Sequence, residues 1–387
     1  MTVDGDERGG GDWNGSNGGN GDETVDGEEV GGHGEFRRDG GESPNLRDGT
    51  GTVEGTILCG PDFEPVSGRV VVEDGWIVGV EEEAVDSTDV VLPAFVNAHT
   101  HVGDSVAKEA GERHALPARD DGPGGSREQL LEAADWEETV AAMRQSVRFM
   151  WTTGTAAFLD FREGGVRGVR MLYDATEDSE VTGLALGSES TEAIELGDGF
   201  GAPSARVGDF TRERRAAREA GKLFGIHAGE YDAGDVNGAF DLDPDFIVHV
   251  VHPERVHLER LEDRETPVVV CPRSNLATGA GVPPIRELES RTTVALGTGS
   301  VTYNSPSMFR EMAFAARLAD VPASSVLRMA TLAGAEIAGL PCGCIEPDRE
   351  AKLLVLDGDS DNLSGARSVV RAVVRRAGAT DVKAVYL

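Results

Sequence analysis

Val91-Leu-Pro-Ala-Phe-Val-Asn-Ala-His99-Thr-His101-Val-Gly-Asp104 is a short apolar run that ends in a pair of histidines and a polar turn. With acidic residues before it, the run reads as one fully buried strand. Side chains alternate along a strand, so His99 and His101, two residues apart, face the same way. Two imidazoles projecting together from the carboxyl end of a buried strand suit a single divalent ion, because neutral imidazole nitrogen is a good ligand for borderline metals such as zinc. The plainer reading, two unconnected histidines, is disfavoured by the histidines that recur at later strand ends.

Outward from this strand the pattern alternates. An amphipathic stretch from Trp136 to Thr152 is followed by a strand at Thr155 to Phe161, a helix around Val166 to Ala175 and a strand at Gly183 to Glu189. A fourth strand is expected near Ala193 to Gly197. The charged, alanine-rich helix from Phe210 to Lys222 leads into Leu223-Phe-Gly-Ile-His227. Asp245-Phe-Ile-Val-His249, Pro267-Val-Val-Val-Cys271 and Thr293-Val-Ala-Leu-Gly297 follow, with helices expected over Pro306 to Ala319 and Ser324 to Ala338. Eight strands alternating with helices predict an α/β fold, a (β/α)8 TIM barrel spanning 91–340. A doubly wound sheet is the alternative, but no glycine-rich phosphate loop follows the first strand.

Short strands at Thr52 to Leu58, Gly68 to Val72 and Trp76 to Val80, the last two joined at Asp74-Gly75, precede the barrel. Ala351 to Leu356, Val369 to Arg375 and Val382 to Leu387 are their counterparts at the other end. Segments 51–90 and 341–387 therefore predict a small β-sandwich made from both chain ends. Residues 1–50, glycine mixed with acidic residues, bury too little apolar surface to offset ordering entropy and read as a disordered acidic tail.

The chain has 387 residues, 39% of them hydrophobic, with 69 acidic against 36 basic residues and a formal net charge of −33. So negative a surface disfavours nucleic acid and anionic membrane as partners. Carboxylates in such excess repel one another in dilute buffer and are screened in concentrated salt, which predicts a halophilic, cytoplasmic protein. Its melting temperature is then expected to rise between low and molar salt, and an equal melting temperature in both would reject that reading. No apolar run approaches transmembrane length and no signal sequence is read at the start. Cys59, Cys271, Cys342 and Cys344 lack paired zinc-ligand spacing and are expected to be reduced and structural.

In a parallel barrel all strand carboxyl ends converge on one face, so His99, His101, His227 and His249 can meet there. Three imidazoles leave a fourth position open, the arrangement of a catalytic rather than a structural zinc site. Glu230, three residues after His227, is placed to shuttle a proton. Arg273, Asn275 and Ser307, just past strand ends or at the barrel mouth, are candidate substrate-binding residues; a loop-stabilising network is the competing reading for the first two. His252 and His257 read as capping or surface residues. The stretch from His114 to Arg127 reads as a lid over the barrel mouth, favoured by its length, with a solvated loop as the alternative.

Taken in order, Pro93-Ala-Phe-Val-Asn97 with His99-Thr-His101, Ile226-His227-Ala-Gly-Glu230, Val248-His249, Cys271-Pro-Arg-Ser-Asn275, and Gly297-Thr298 with Asn304-Ser-Pro-Ser-Met-Phe-Arg-Glu311 resemble the amidohydrolase superfamily, in the branch of cytosine deaminase and chlorohydrolases. The resemblance covers Thr52 to the end. It implies a (β/α)8 barrel with a β-sandwich, metal ligands at His99, His101 and His227, a proton shuttle at Glu230 and a polarising role for His249. The family's aspartate after Gly-Thr is replaced here by Gly299; Ser300, Asp160 and Asp104 are the candidates to replace it, beside Glu230 alone. The expected function is a metal-dependent hydrolase of a non-peptide carbon–nitrogen bond, deaminating a nitrogen heterocycle with one divalent metal, zinc or alternatively iron. The alternative is a catalytically impaired barrel that binds a small-molecule ligand or regulates. A homo-oligomer is compatible with the sequence.

Overall fold

The computed structural model describes residues 35–37, 46–110 and 125–387. Residues 111–124, which hold most of the expected lid, and residues 1–34 and 38–45 of the expected tail lie outside the described residues.

Five strands precede the barrel: β1 (Glu35–Arg37), β2 (Thr50–Cys59), β3 (Glu64–Glu73), β4 (Trp76–Glu82) and β5 (Val90–Pro93). β3 and β4 form the expected hairpin, turning on Asp74 and Gly75, both with positive φ (46° and 83°), the backbone that a two-residue I′ turn requires. The barrel strands are β6 (Phe95–His101), β7 (Thr155–Arg162), β8 (Thr182–Gly187), β9 (Gly199–Ala202), β10 (Leu223–Ala228), β11 (Phe246–His249), β12 (Val268–Val270) and β13 (Val294–Leu296). They pair in parallel in sequence order, and the short β14 (Gly299–Ser300) pairs with Thr100 and His101 of β6 to close the ring. β15 (Leu353–Leu356) and β16 (Val382–Tyr386) return to the first sheet, whose strand order is β1-β16-β15-β5-β2-β3-β4. Val53, Ile57, Val70, Leu353, Val355 and Ala384 from both chain ends share one core there. No helix among the described residues is long and apolar enough to cross a membrane.

Several expectations need correction. The stretch read as one strand from Val91 is two. β5 pairs with β15, Ala94 N–H bonds the Lys352 carbonyl at 2.9 Å, and Phe95 N–H bonds Gly154 O at 2.7 Å as the chain enters the barrel. Part of the tail has structure: β1 pairs antiparallel with β16, and Leu46 is buried in the shared core.

The expected fourth strand at Ala193 to Gly197 falls on a helix, Thr191–Leu196, capped by Ser190, and the real strand is Gly199–Ala202. Its glycines conceal it because they are required sterically. A Cβ at Gly199 would lie 2.2 Å from Leu223 O, and one at Gly201 would lie 2.6 Å from the Phe161 ring.

Val369–Arg375, read as a strand from its β-branched residues, is a helix capped by Ser368 that packs against the helices Met308–Leu318 and Ala323–Ala330. Burial of Ala372, Val373 and Val374 overrides strand propensity there. The helix expected from Ser324 to Ala338 breaks at Thr331.

The barrel interior is filled by alternate residues, among them Val96, Ala98, Leu159, Phe161, Val248 and Val269. Cys271, Cys342 and Cys344 are buried, Cys59 is half-buried, and all four are free thiols.

Candidate metal centre and catalytic residues

His99, His101, His227 and His249 meet at the carboxyl end of the barrel. A register shift against β7 between Asn97 and Thr100 interrupts the simple alternation, and His99 and His101 still converge, their ring centroids 4.8 Å apart. Gly297 permits this packing, since a Cβ there would lie 2.7 Å from His99 Cβ; Thr298 N–H bonds His99 O at 2.9 Å. Phe161 stacks on His227 at 4.8 Å and meets His99 edge-on at 4.6 Å, so the two imidazoles share one aromatic wall.

Ligand atoms of His99, His101 and His227 all lie within 4.8 Å of one another. His99 Nε2 and His227 Nε2 are 3.1 Å apart, close to the roughly 3.3 Å that separates two nitrogens on a tetrahedral ion at 2.0–2.1 Å. Burial, reinforced by the neighbouring histidines, holds His99 and His227 well below the usual imidazole range, so both are neutral as metal ligands must be. Burial also lowers His101, but the carboxylates of Glu163, Asp104 and Asp160 together outweigh it and raise the group above its ordinary value. This donor set fits a divalent ion, and its all-imidazole chemistry suits zinc or iron.

His249 adopts φ +81° and the following Val250 φ +45°, a left-handed pair that is costly for a β-branched residue and characteristic of sites where function requires it. Val250 N–H bonds Ala228 O, and the next two N–H groups bond Gly229 O, pinning the end of β11 to the end of β10. His249 Nε2 lies 3.7 Å from Glu230 Oε2, and its Nδ1 lies 3.0 Å from the Asn275 amide nitrogen. With that amide donating, the ring carries its proton on Nε2, facing Glu230. Burial lowers His249, and the Glu230 carboxylate partly offsets it.

The other sequence candidates are placed differently. Arg273 bonds Glu311 through its backbone (2.9 Å) and guanidinium (3.3 Å), and also Ser305 O and Asn304 Oδ1, both at 3.1 Å. These bonds tie the barrel wall together, and burial of Glu311 pushes its carboxyl up to about 7. Ser307 Oγ accepts from Arg310 N and caps a helix. His252 bonds Ala280 O and His257 caps a helix at Glu254.

Of the residues considered as substitutes for a carboxylate at position 299, Asp160 accepts from Val102 N at 2.6 Å and faces Arg162, while Asp104 bonds Arg127 and Ser300. The residue that does reach the histidines, and that was not singled out from the sequence, is Glu163. Its Oε1 is 2.9 Å from His101 Nδ1. The available signal was parity: Ala157, Leu159 and Phe161 alternate into the barrel interior, and Glu163 continues the series.

A cavity of ≈ 260 Å³ opens beside the histidines, walled by Phe161, Phe200, Phe210 and Glu163, and a second of ≈ 240 Å³ lies across His227 beside Glu230 and Tyr231.

Residues 211–386 match the amidohydrolase family. A relative from Methanothermobacter thermautotrophicus, provisionally named an aminohydrolase, is 34% identical over 349 residues, covering 78% of this chain and 90% of that one. The chain belongs to the amidohydrolase family, a family of hydrolases. It is also 30% identical over 392 aligned residues to a 5-methylthioadenosine/S-adenosylhomocysteine deaminase from Halobacterium salinarum, with 86% and 89% of the two chains covered. An adenosine deaminase from Xanthomonas campestris with bound zinc shares the fold, with a TM-score of 0.68, 18% identity, and 89% and 92% coverage. So does Escherichia coli guanine deaminase, with a TM-score of 0.69, 16% identity, and 87% and 97% coverage.

Proposed function

We propose that this chain is a metal-dependent hydrolase that releases ammonia from an amino-substituted nitrogen heterocycle. The observation that carries the reading is the convergence of His99, His101 and His227 within 4.8 Å beside a Glu230–His249 pair. The three imidazoles hold the ion, zinc in preference to iron. The chemistry that a divalent ion supplies at such a site is the acidification of water towards neutral pH.

The chain's own residues do the rest. Glu230 accepts the proton of the attacking water and passes it to the departing nitrogen. His249, held by Asn275 with its N–H turned to the same space, stabilises the negative charge that addition pushes from the attacked carbon onto the adjoining ring nitrogen. Phe161, Phe200 and Phe210 line the cavity beside His101 and His227, an apolar wall suited to a heteroaromatic ring. The deaminase names of the relatives support an aminopurine-like substrate, and the charge of −33 supports a cytoplasm rich in salt.

Gly299 favours a second reading, a barrel that binds such a ring without turning it over. Ammonia release from aminopurines, aminopyrimidines and pterins, measured in molar salt with added zinc, separates the two. Turnover of at least one class is expected. Tight binding without turnover across the panel would transfer the assignment to the second reading.

A further inference from the structure

Three neutral imidazoles leave the charge of a divalent ion uncompensated in a buried site, which is costly unless an anion stands close by. Gly299, the first residue of β14, supplies none. Its φ is +66°, and a Cβ there would lie 2.6 Å from Ser274 Oγ. The only carboxylate bonded to one of the three ligand rings among the described residues is Glu163, at 2.9 Å from His101 Nδ1. Of the other two rings, His227 bonds the Pro203 backbone and His99 Nδ1 has no partner.

Glu163 is itself held with some care. Arg162 Nη2 donates to its Oε2 at 3.0 Å, and Arg127 approaches Oε1 at 3.7 Å. The same Arg162 guanidinium, 6% exposed, faces Asp160 at 3.4 Å, and Asp160 accepts from Val102 N, the residue after His101. This arrangement depends on Gly103, where a Cβ would sit 1.7 Å from Arg162 Nη1.

We propose that Glu163 is a positioning residue of the metal centre, which through His101 supplies both the ring orientation and the negative charge that no carboxylate ligand gives. By accepting from Nδ1–H it fixes the proton on that nitrogen and leaves the Nε2 lone pair turned towards His99 and His227. Arg162, seated over Gly103, keeps the carboxylate in place. The inference rests on the three-histidine metal reading proposed above.

The test is zinc affinity of the full chain in molar salt, measured by competition with a chromophoric chelator, with the cobalt(II) absorption spectrum as a second readout. Loss of a partner bonded to a metal-ligating histidine typically weakens affinity about 10- to 100-fold. Glu163→Gln keeps an oxygen for the Nδ1–H but loses the charge and is expected at the lower end, with Glu163→Ala at the upper end and an altered cobalt spectrum. Arg162→Lys, which only loosens the carboxylate, should weaken zinc by less. A purely structural ion pair would lower the melting temperature and leave affinity unchanged. Zinc affinities of Glu163→Gln and Glu163→Ala both within about twofold of the unmodified chain would overturn the proposal while the metal centre stood. Absence of zinc binding by the unmodified chain would overturn both. If Glu163→Ala does not fold, the isosteric Gln variant and Arg162→Lys decide.

Discussion

His99→Ala is expected to abolish zinc binding and, with it, ammonia release, while the metal-free chain keeps a melting temperature close to that of its parent. The pairing of results follows from what surrounds the ring. His99 is fully buried, its Nδ1 has no hydrogen-bond partner, and its Nε2 faces another imidazole nitrogen at 3.1 Å. An unsatisfied buried polar group costs about 1–3 kcal/mol. The cavity left by truncating a buried side chain costs about 2–5 kcal/mol. The two terms oppose each other, so the substitution sacrifices far less stability than a core residue of that size would. A ligand bound at a thousand times its dissociation constant adds about 4 kcal/mol to the folded state. That increment should appear as a zinc-dependent rise in melting temperature in the parent and vanish in His99→Ala. The same zinc-dependent rise in both proteins would remove His99 from the ligand set.

The positions of these histidines were legible because each ends a strand whose apolar run is unmistakable, and a parallel barrel brings all such ends to one face. Four of the residues singled out from sequence, His99, His101, His227 and His249, accordingly meet, with Glu230 beside them. What stayed hidden depended on contacts across the barrel. β9 carries no apolar signature because Gly199 and Gly201 must make room for Leu223 O and for the Phe161 ring. Val369–Arg375 has the residues of a strand, and only the helices against which it packs make it helical. Arg273 stands just past a strand end as a substrate-binding residue would, yet its hydrogen bonds run to Glu311, Ser305 and Asn304 in the wall. Asn275, two residues on, touches His249 instead. Sequence position brings a residue to the mouth, and the partners it finds there decide whether it faces a substrate or the scaffold.

Glu230→Gln is expected to lower kcat by about 10²- to 10⁴-fold, the usual contribution of a positioned proton-transfer group, with zinc affinity unchanged. Glutamine retains the size and the oxygen that lies 3.7 Å from His249 Nε2 but cannot carry a proton. The upper end of the range is the better expectation in this chain. Position 299 offers no carboxylate, Asp160 is engaged by Val102 N and Arg162, Asp104 by Arg127 and Ser300, and Glu163 by His101. No second carboxylate among the described residues is therefore free at the histidines to take over the proton. His249 alone remains, and as a neutral ring with its proton on Nε2 it can donate a hydrogen bond but is a poor acceptor on that side. Binding of an unreactive ring analogue, read by its effect on melting temperature, should survive the substitution, because Phe161 and Phe200 are untouched. A variant that keeps more than about a tenth of the parental kcat would show that the proton travels by another route, and would return attention to Ser300 and Asp104 beside the left-handed Gly299.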